Sequence, residues 1–186
     1  GGGGGGVTPP APTPPPAPAP PPAAAVLPNV PTGWVLLGGT AATIPFTGTP
    51  DEITQKRANL NTAYTNIDAR VRTGRILFFS ESLGNASLVS SDCIILTSAT
   101  TFTRSEQSAG LGSGSQRNTS GTWRITVDFR TLDGVVPTLE LTEATASAAP
   151  APGVVSLKLD ADPAAGSSRV FLGNRSYATG PGSSCN

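Results

Sequence analysis

A succession of short strand patterns fills the sequence after Gly74 and constrains the fold more than any other feature. In TWRITVDFR (122–130), apolar residues at 123, 125, 127 and 129 alternate with polar ones, the period of a strand with one buried face. Similar runs are RILFFS (75–80), ASLVSSDCIILTSATTFTR (86–104, with a break near Ser98–Ala99), VVPTLEL (135–141), VVSLKLD (154–160) and SRVFLG (168–173). Seven or eight short strands at this spacing predict an all-β domain, an antiparallel sandwich or small barrel. Pro137 predicts an edge position for its strand, because proline cannot donate to a neighbour.

One N-terminal α-helix is predicted before the strands. Thr49 is a candidate N-cap, Pro50 falls at the first helical position, and Glu52 falls at the capping-box position. Gly74 is the expected residue just beyond the C-terminus. We therefore predict a helix over residues 50–73.

The predicted helix carries one narrow apolar stripe, formed by Ile53, Leu60, Tyr64, Ile67 and Val71. Their spacing follows the helical repeat. Such a stripe packs on its own domain or contacts another chain. These five residues are therefore also candidate partner contacts.

The first 32 residues form an extended Gly/Pro-rich arm, and residues 33–186 form the β-rich domain. Six glycines come first, PPAPTPPPAPAPPP occupies 9–22, and the chain carries no charged side chain before Asp51. Proline rings fix φ, so this segment should adopt polyproline II at about 3.1 Å per residue. We interpret the arm as a flexible swivel followed by a stiff spacer.

A Gly run followed by a Pro/Ala spacer resembles the start of a mature bacterial lipoprotein. The resemblance covers residues 1 to about 28 and lies in composition. It implies an acylated Cys that anchors the chain in a membrane, with the spacer leading to the folded domain. Residue 1 here is Gly, so the implied lipidated Cys would lie upstream. The sequence contains no Met, and we expect residue 1 to have been exposed by processing.

The two cysteines, Cys93 and Cys185, predict a disulfide that fixes the C-terminus to the body of the domain. Disulfides persist in oxidising compartments. Together with the arm, this predicts an exported bacterial protein, periplasmic or at the cell surface and tethered to a membrane.

Composition argues against several kinds of chemistry. The sequence has no His, which excludes a Ser–His–Asp triad and His-ligated zinc or haem. Its 12 basic and 12 acidic residues balance, so there is no electrostatic footprint for nucleic acid. Glu140 and Glu143 could form a carboxylate pair, and Asp160 and Asp162 could ligate calcium, but the latter pair lies in ordinary turn chemistry. We predict no enzyme, catalytic residue, cofactor or metal site.

Two segments predict breaks between strands. SEQSAGLGSGSQRNTSG (105–121) is long, polar and Gly/Ser-rich, and ATASAAPAPG (144–153) is of low complexity. A loop as long as the first is usually functional or disordered.

The leading functional prediction is a non-enzymatic accessory or structural subunit of an extracytoplasmic membrane-associated or surface assembly. Its arm would dock on neighbouring protein subunits, and the upstream lipidated Cys would hold it at the membrane. One alternative is a surface-exposed lipoprotein that binds a ligand through residues 105–121. The other is a self-assembling fibre subunit that donates its arm to the next copy.

Overall fold

The computed structural model describes residues 1–19, 28–38, 46–84, 88–110, 112–162 and 168–185. Within these ranges one α-helix and nine strands follow in the order β1 (Val35–Leu37), α1 (Pro50–Arg70), β2 (Arg75–Leu83), β3 (Leu88–Leu96), β4 (Thr101–Gly110), β5 (Ser113–Asp128), β6 (Thr138–Ala146), β7 (Val154–Ala161), β8 (Arg169–Leu172) and β9 (Arg175–Pro181). A 3₁₀ turn over Asp133–Val135 separates β5 from β6.

Strands β2 to β9 form a closed antiparallel barrel. Each strand pairs with the next one along the chain, and β9 returns to pair with β2, so that Leu77 lies opposite Thr179. This confirms the all-β prediction and selects the barrel rather than the sandwich. The ninth strand, β1, pairs in parallel with the end of β5 and lies outside the ring of eight.

Two local predictions are wrong because the ring is closed and its interior is partly polar. Most of the predicted loop 105–121 is strand: residues 105–110 belong to β4 and residues 113–121 to β5, and their ladder extends to Gly110 opposite Ser113. Strand β6 does not lie at an edge, since it pairs with β5 on one side and β7 on the other. Pro137 immediately precedes β6, where its missing N–H breaks no ladder bond.

The helix closes one end of the barrel, which we call the closed end. It begins as predicted, with the Thr49 side chain capping the Glu52 N–H in a capping box. It ends at Arg70, earlier than predicted, and Gly74 lies beyond its cap at Val71 in a turn with φ of 76°. Arg70 donates to main-chain carbonyls between β7 and β8, which anchors this end of the helix to the barrel.

The barrel interior is apolar from the closed end to about its middle. The fully buried side chains there include Leu77, Ile94, Leu96, Phe102, Ile125, Leu139 and Leu141, together with Ile67 and Val71 from the helix. A smaller cluster outside the ring joins Tyr64 and Phe129 to Trp34 of the segment before β1. The opposite end, which we call the mouth, carries the β2–β3, β4–β5, β6–β7 and β8–β9 connections.

The arm and the domain meet before the expected boundary. Residues 1–19 have no helix or strand, and every one of them is exposed. Pro28 is buried, the Asn29 N–H donates to Asn61 Oδ1 at 2.7 Å, and Val30 packs against the smaller cluster. A deletion that removes the arm without disturbing these contacts should therefore cover residues 1–19.

Candidate functional site

The mouth of the barrel holds a buried arginine–carboxylate pair. Arg104 of β4 donates from Nε and Nη2 to the two carboxylate oxygens of Asp92 on β3, at 2.9 and 2.7 Å. The side chains are only 8% and 2% exposed. Tyr177 of β9 donates its hydroxyl to the same carboxylate at 2.6 Å. Three strands are thus joined through one carboxylate.

A second arginine extends this pair into a network. Arg117 of β5 donates to both oxygens of Glu143 on β6, at 2.8 and 2.7 Å, and also reaches Glu106 at 3.3 Å. Glu106 in turn lies 3.2 Å from Arg104. The network therefore runs from Tyr177 through Asp92, Arg104, Glu106 and Arg117 to Glu143.

A bulge and a glycine lie beside Glu143. The register of β5 and β6 shifts next to Gly121, which lies opposite Glu143. A Cβ at Gly121 would collide with the Thr142 carbonyl oxygen, so the two strands approach closely because there is no side chain here. Glu143 continues the inward alternation of Leu139 and Leu141, and its side chain is 3% exposed.

The contacts within the network determine the charge states of its members. Hydrogen bonds from Arg117, and then the Arg117 charge, lower the pKa of Glu143 against the opposing effect of burial. Burial lowers the pKa of Arg104, but its hydrogen bond and charge interaction with Asp92 outweigh burial, and the net direction is upward. Burial, followed by the negative charge of Asp92, raises the pKa of Tyr177. Both arginines and Glu143 therefore stay charged at neutral pH, and the tyrosine stays neutral.

Outside the network the mouth opens into a polar hollow of about 330 Å³. Its lining includes Asp92, Glu106, Arg117 and Arg175, with serines and glutamines of β3, β4 and β5. The guanidinium of Arg175 lies 4.8 Å from the centre of the Phe79 ring. Ser108 and Ser115 hydrogen-bond each other at 2.7 Å across β4 and β5. The hollow offers hydroxyl and amide groups beside Arg175 and beside Asp92, Glu106 and Arg117, whose charges are paired within the network.

The connection between β6 and β7 is hydrogen-bonded to the network at the mouth. The Pro150 carbonyl accepts from Arg117 at 3.4 Å, and the Gly153 N–H donates to Glu143 at 3.3 Å. Ser147 exchanges hydrogen bonds with Asn118 of β5. The network thus also fixes the connection that borders the hollow.

The structure uses most of the helix stripe for packing within the chain. Tyr64, Ile67 and Val71 are each 1% exposed, and Leu60 packs against the smaller cluster. Ile53 is partly buried, and its assignment as a partner contact stays a prediction. The self-packing interpretation therefore describes the three buried residues.

The predicted disulfide between Cys93 and Cys185 is present, with Cα atoms 6.3 Å apart. Glu140 and Glu143 lie on opposite faces of β6: Glu140 pairs with Arg124 outside the barrel, at 2.6 Å, and Glu143 lies inside. In the described part of the chain, no three His, Cys, Asp or Glu side chains lie close enough to hold a metal ion.

The sequence-based interpretation missed the network because its members come from five strands whose pairing the sequence does not show, and because Glu106 and Arg117 lie in a segment without apolar alternation. The available signal was alternation of another kind: Arg104 and Glu106 are separated by a neutral residue, as charged inward and neutral outward positions require. A period of two in charge also indicates a strand when the barrel interior is polar.

Among the described residues, no helix is both long and apolar enough to cross a membrane. Comparison with protein families, curated proteins and solved structures finds no match for this chain.

Proposed function

We propose that this chain is a non-enzymatic accessory or structural subunit of an extracytoplasmic assembly, and that its arm docks on neighbouring subunits. One observation carries this proposal: residues 1–19 are all exposed and uncharged, while the domain packs its core without them. A segment that adds nothing to its own domain is free to contact another molecule, and proline pre-organises it at low entropic cost.

The barrel supports a structural role rather than that of a carrier. Its interior is filled by the apolar core at the closed end and by the paired network toward the mouth. Small barrels filled by side chains are packed cores and not containers. The disulfide and the closed ring make the domain a rigid body, which suits a structural subunit.

The test removes residues 1–19 from the full chain. Unfolding by urea should be unchanged within about 0.5 kcal/mol, because the deleted residues are exposed. Co-purification with the membrane or surface assembly should be lost. A matched control replaces the prolines of residues 9–18 by serine. It keeps the number of residues in the arm but makes the arm flexible. Assembly that survives the deletion would rule the proposal out.

The membrane tether belongs to the same proposal and has its own measurement. We propose that a lipidated Cys upstream of Gly1 holds the protein at a bacterial membrane. Intact mass spectrometry of the protein purified in detergent from its native membrane should show an acylated N-terminal Cys in addition to the sequence. A mass without lipid would eliminate the tether and leave the arm proposal standing.

A second candidate function is binding of a small polar ligand at the mouth, favoured by the 330 Å³ hollow. Residues 105–110 and 113–121 belong to strands, but several of them line this hollow, so the ligand-binding alternative now concerns the mouth of the barrel and not a loop. Replacing Ser108 by Trp should fill the hollow and abolish affinity, while deletion of residues 1–19 should leave it intact. The opposite pattern would exclude this function.

A further inference from the structure

The barrel has an unusual distribution of charge around β3, β4 and the first ten residues of β5. Four charged side chains occur in residues 88–122, and all four face the interior: Asp92, Arg104, Glu106 and Arg117. Burying a charge is costly, and a protein surface normally carries most of its charged residues. Here the inside is charged and the outside is neutral.

The outward positions of the same strands form what we call the neutral face. Its side chains are hydroxyls and carboxamides with a few small or aliphatic residues, and on β3 it includes Cys93 with the disulfide-linked Cys185. Its centre is occupied by Thr103, Ser105, Gln107, Gln116, Asn118 and Ser120. A shallow hollow of about 380 Å³ lies in this face, bordered by residues of β3 to β6. A charged partner would find no counter-charge here, so the face suits an uncharged one.

The closed ring limits how a chain can bind to this face. β3 and β4 are paired on both sides, and β5 is paired with β6 from Thr119 onward. Among the described residues of these strands, an N–H and C=O row is therefore open only along residues 113–117. Elsewhere on the face, only side chains can make the contact. The neutral face offers hydroxyl and amide donors for this purpose.

The arm is complementary to such a face in chemistry and in length. Seven of the eleven residues 9–19 are proline, so this segment has few N–H groups but a carbonyl acceptor at every residue. Ten residues of polyproline II span about 31 Å. The ten residues of β4 span about 33 Å. An uncharged chain of acceptors thus matches an uncharged surface of donors over the same distance.

We propose that the neutral face is the docking surface for residues 7–19 of a second copy of this chain. The arm and face of one chain do not cover each other, since residues 1–19 are all exposed. This inference rests on the proposed function, which says that the arm docks, and it names the surface. The contact covers one extended segment, below the size of a standard interface, and we expect a Kd of roughly 10–500 μM, corresponding to a small contact area.

The experiment places a photo-crosslinking amino acid at Thr13 of the full chain. Isotope-labelled and unlabelled protein are mixed at about 200 μM, so that roughly a quarter to four fifths of the arms are bound over this range of Kd. After illumination and trypsin digestion, we expect crosslinks between differently labelled chains on residues 105–117 and 118–124, which follow Arg104 and Arg117.

Charge substitutions on the face supply the second readout. Asn118 is exposed and faces outward. Asn118→Lys should reduce the crosslink yield at least tenfold, and it should reduce the concentration-dependent association in sedimentation velocity by the same factor. Lys158→Glu changes charge at an exposed position of β7 and should alter neither. Urea unfolding of both variants should match the wild type, which excludes misfolding as the cause.

Monomeric behaviour at 200 μM, or crosslinks that map elsewhere, would overturn the inference. If deletion of residues 1–19 abolishes the native assembly while no copy-to-copy crosslink forms, the arm docks on a different subunit, and the proposed function stands without this surface. If the deletion leaves the native assembly intact while purified copies still crosslink arm to face, the proposed function fails and the surface stands.

Discussion

Replacing Arg104 by Met tests the buried network most directly. The Arg104 side chain is 8% exposed and supplies two of the hydrogen bonds of Asp92, itself 2% exposed. The substitution leaves that carboxylate buried with only the Tyr177 hydroxyl as a described hydrogen-bond donor. Removing one partner of a buried ion pair costs about 3–5 kcal/mol, because the other charge stays uncompensated. For a domain stable by about 5–15 kcal/mol, this is a large share.

The chain supplies a matched control in Arg124→Met. Arg124 pairs with the carboxylate of Glu140 at 2.6 Å, close to the 2.7 Å between Arg104 and Asp92, but its side chain is 54% exposed and, among the described residues, it lacks a second carboxylate like Glu106. An exposed pair contributes about 0–1 kcal/mol. The two substitutions therefore share their chemistry and differ in burial.

The assay is equilibrium urea unfolding at pH 7 with the disulfide intact, followed by the emission of Trp34 and Trp123. In addition, the double variant Asp92→Asn/Arg104→Met should be more stable than Arg104→Met by roughly 1–2 kcal/mol, since it removes the stranded charge. Equal losses for Arg104→Met and Arg124→Met, or strict additivity in the double variant, would refute the argument that burial of the pair determines its cost.

Three further predictions follow from the described contacts. Because the pKa of Glu143 is lowered in the folded state, its carboxylate stabilises the fold above the usual carboxyl pKa range, and this stabilisation is lost as pH falls. The difference in urea midpoint between wild type and Glu143→Gln should therefore shrink from pH 7 to pH 3. Burial raises the pKa of both Tyr64 and Tyr177 above the ordinary 10.0, so their stabilisation is complete below pH 10 and is lost above it; absorbance at 295 nm should show phenol ionisation only together with unfolding, and a normal titration near 10 would contradict this. Reducing the disulfide, which joins residues 92 apart, should lower the free energy of unfolding by about 4 kcal/mol, and an unchanged urea midpoint in dithiothreitol would count against that value.

Local signals predicted the parts of the fold that are determined locally. The Thr49 cap with Glu52, and the apolar alternation through Trp123 and Phe129, were both correct because their physical causes lie within a few residues. The sequence did not decide between a sandwich and a closed barrel, because the pairing of β2 with β9 that closes the ring joins residues far apart in sequence.

The mouth could not be predicted in the same way. Arg117 and Glu143 are 26 residues apart, and they meet through the pairing of β5 with β6, whose register the sequence does not show. Sequence reasoning classified the polar residues around Arg117 as a loop, because it expected an apolar interior. In a barrel whose interior is polar at one end, inward residues do not differ from outward ones in hydrophobicity.

The order in which the ring closes has a consequence for the timing of folding. β9 pairs with β8 and β2, and Cys185 follows it to reach Cys93. The first strand of the barrel therefore waits for the last, and no nascent chain that lacks β9 can complete the ring. Such long-range pairing also folds slowly. For the exported protein that we propose, this delay would keep the chain unfolded while it crosses a membrane. Ring closure and the disulfide would then prevent its return.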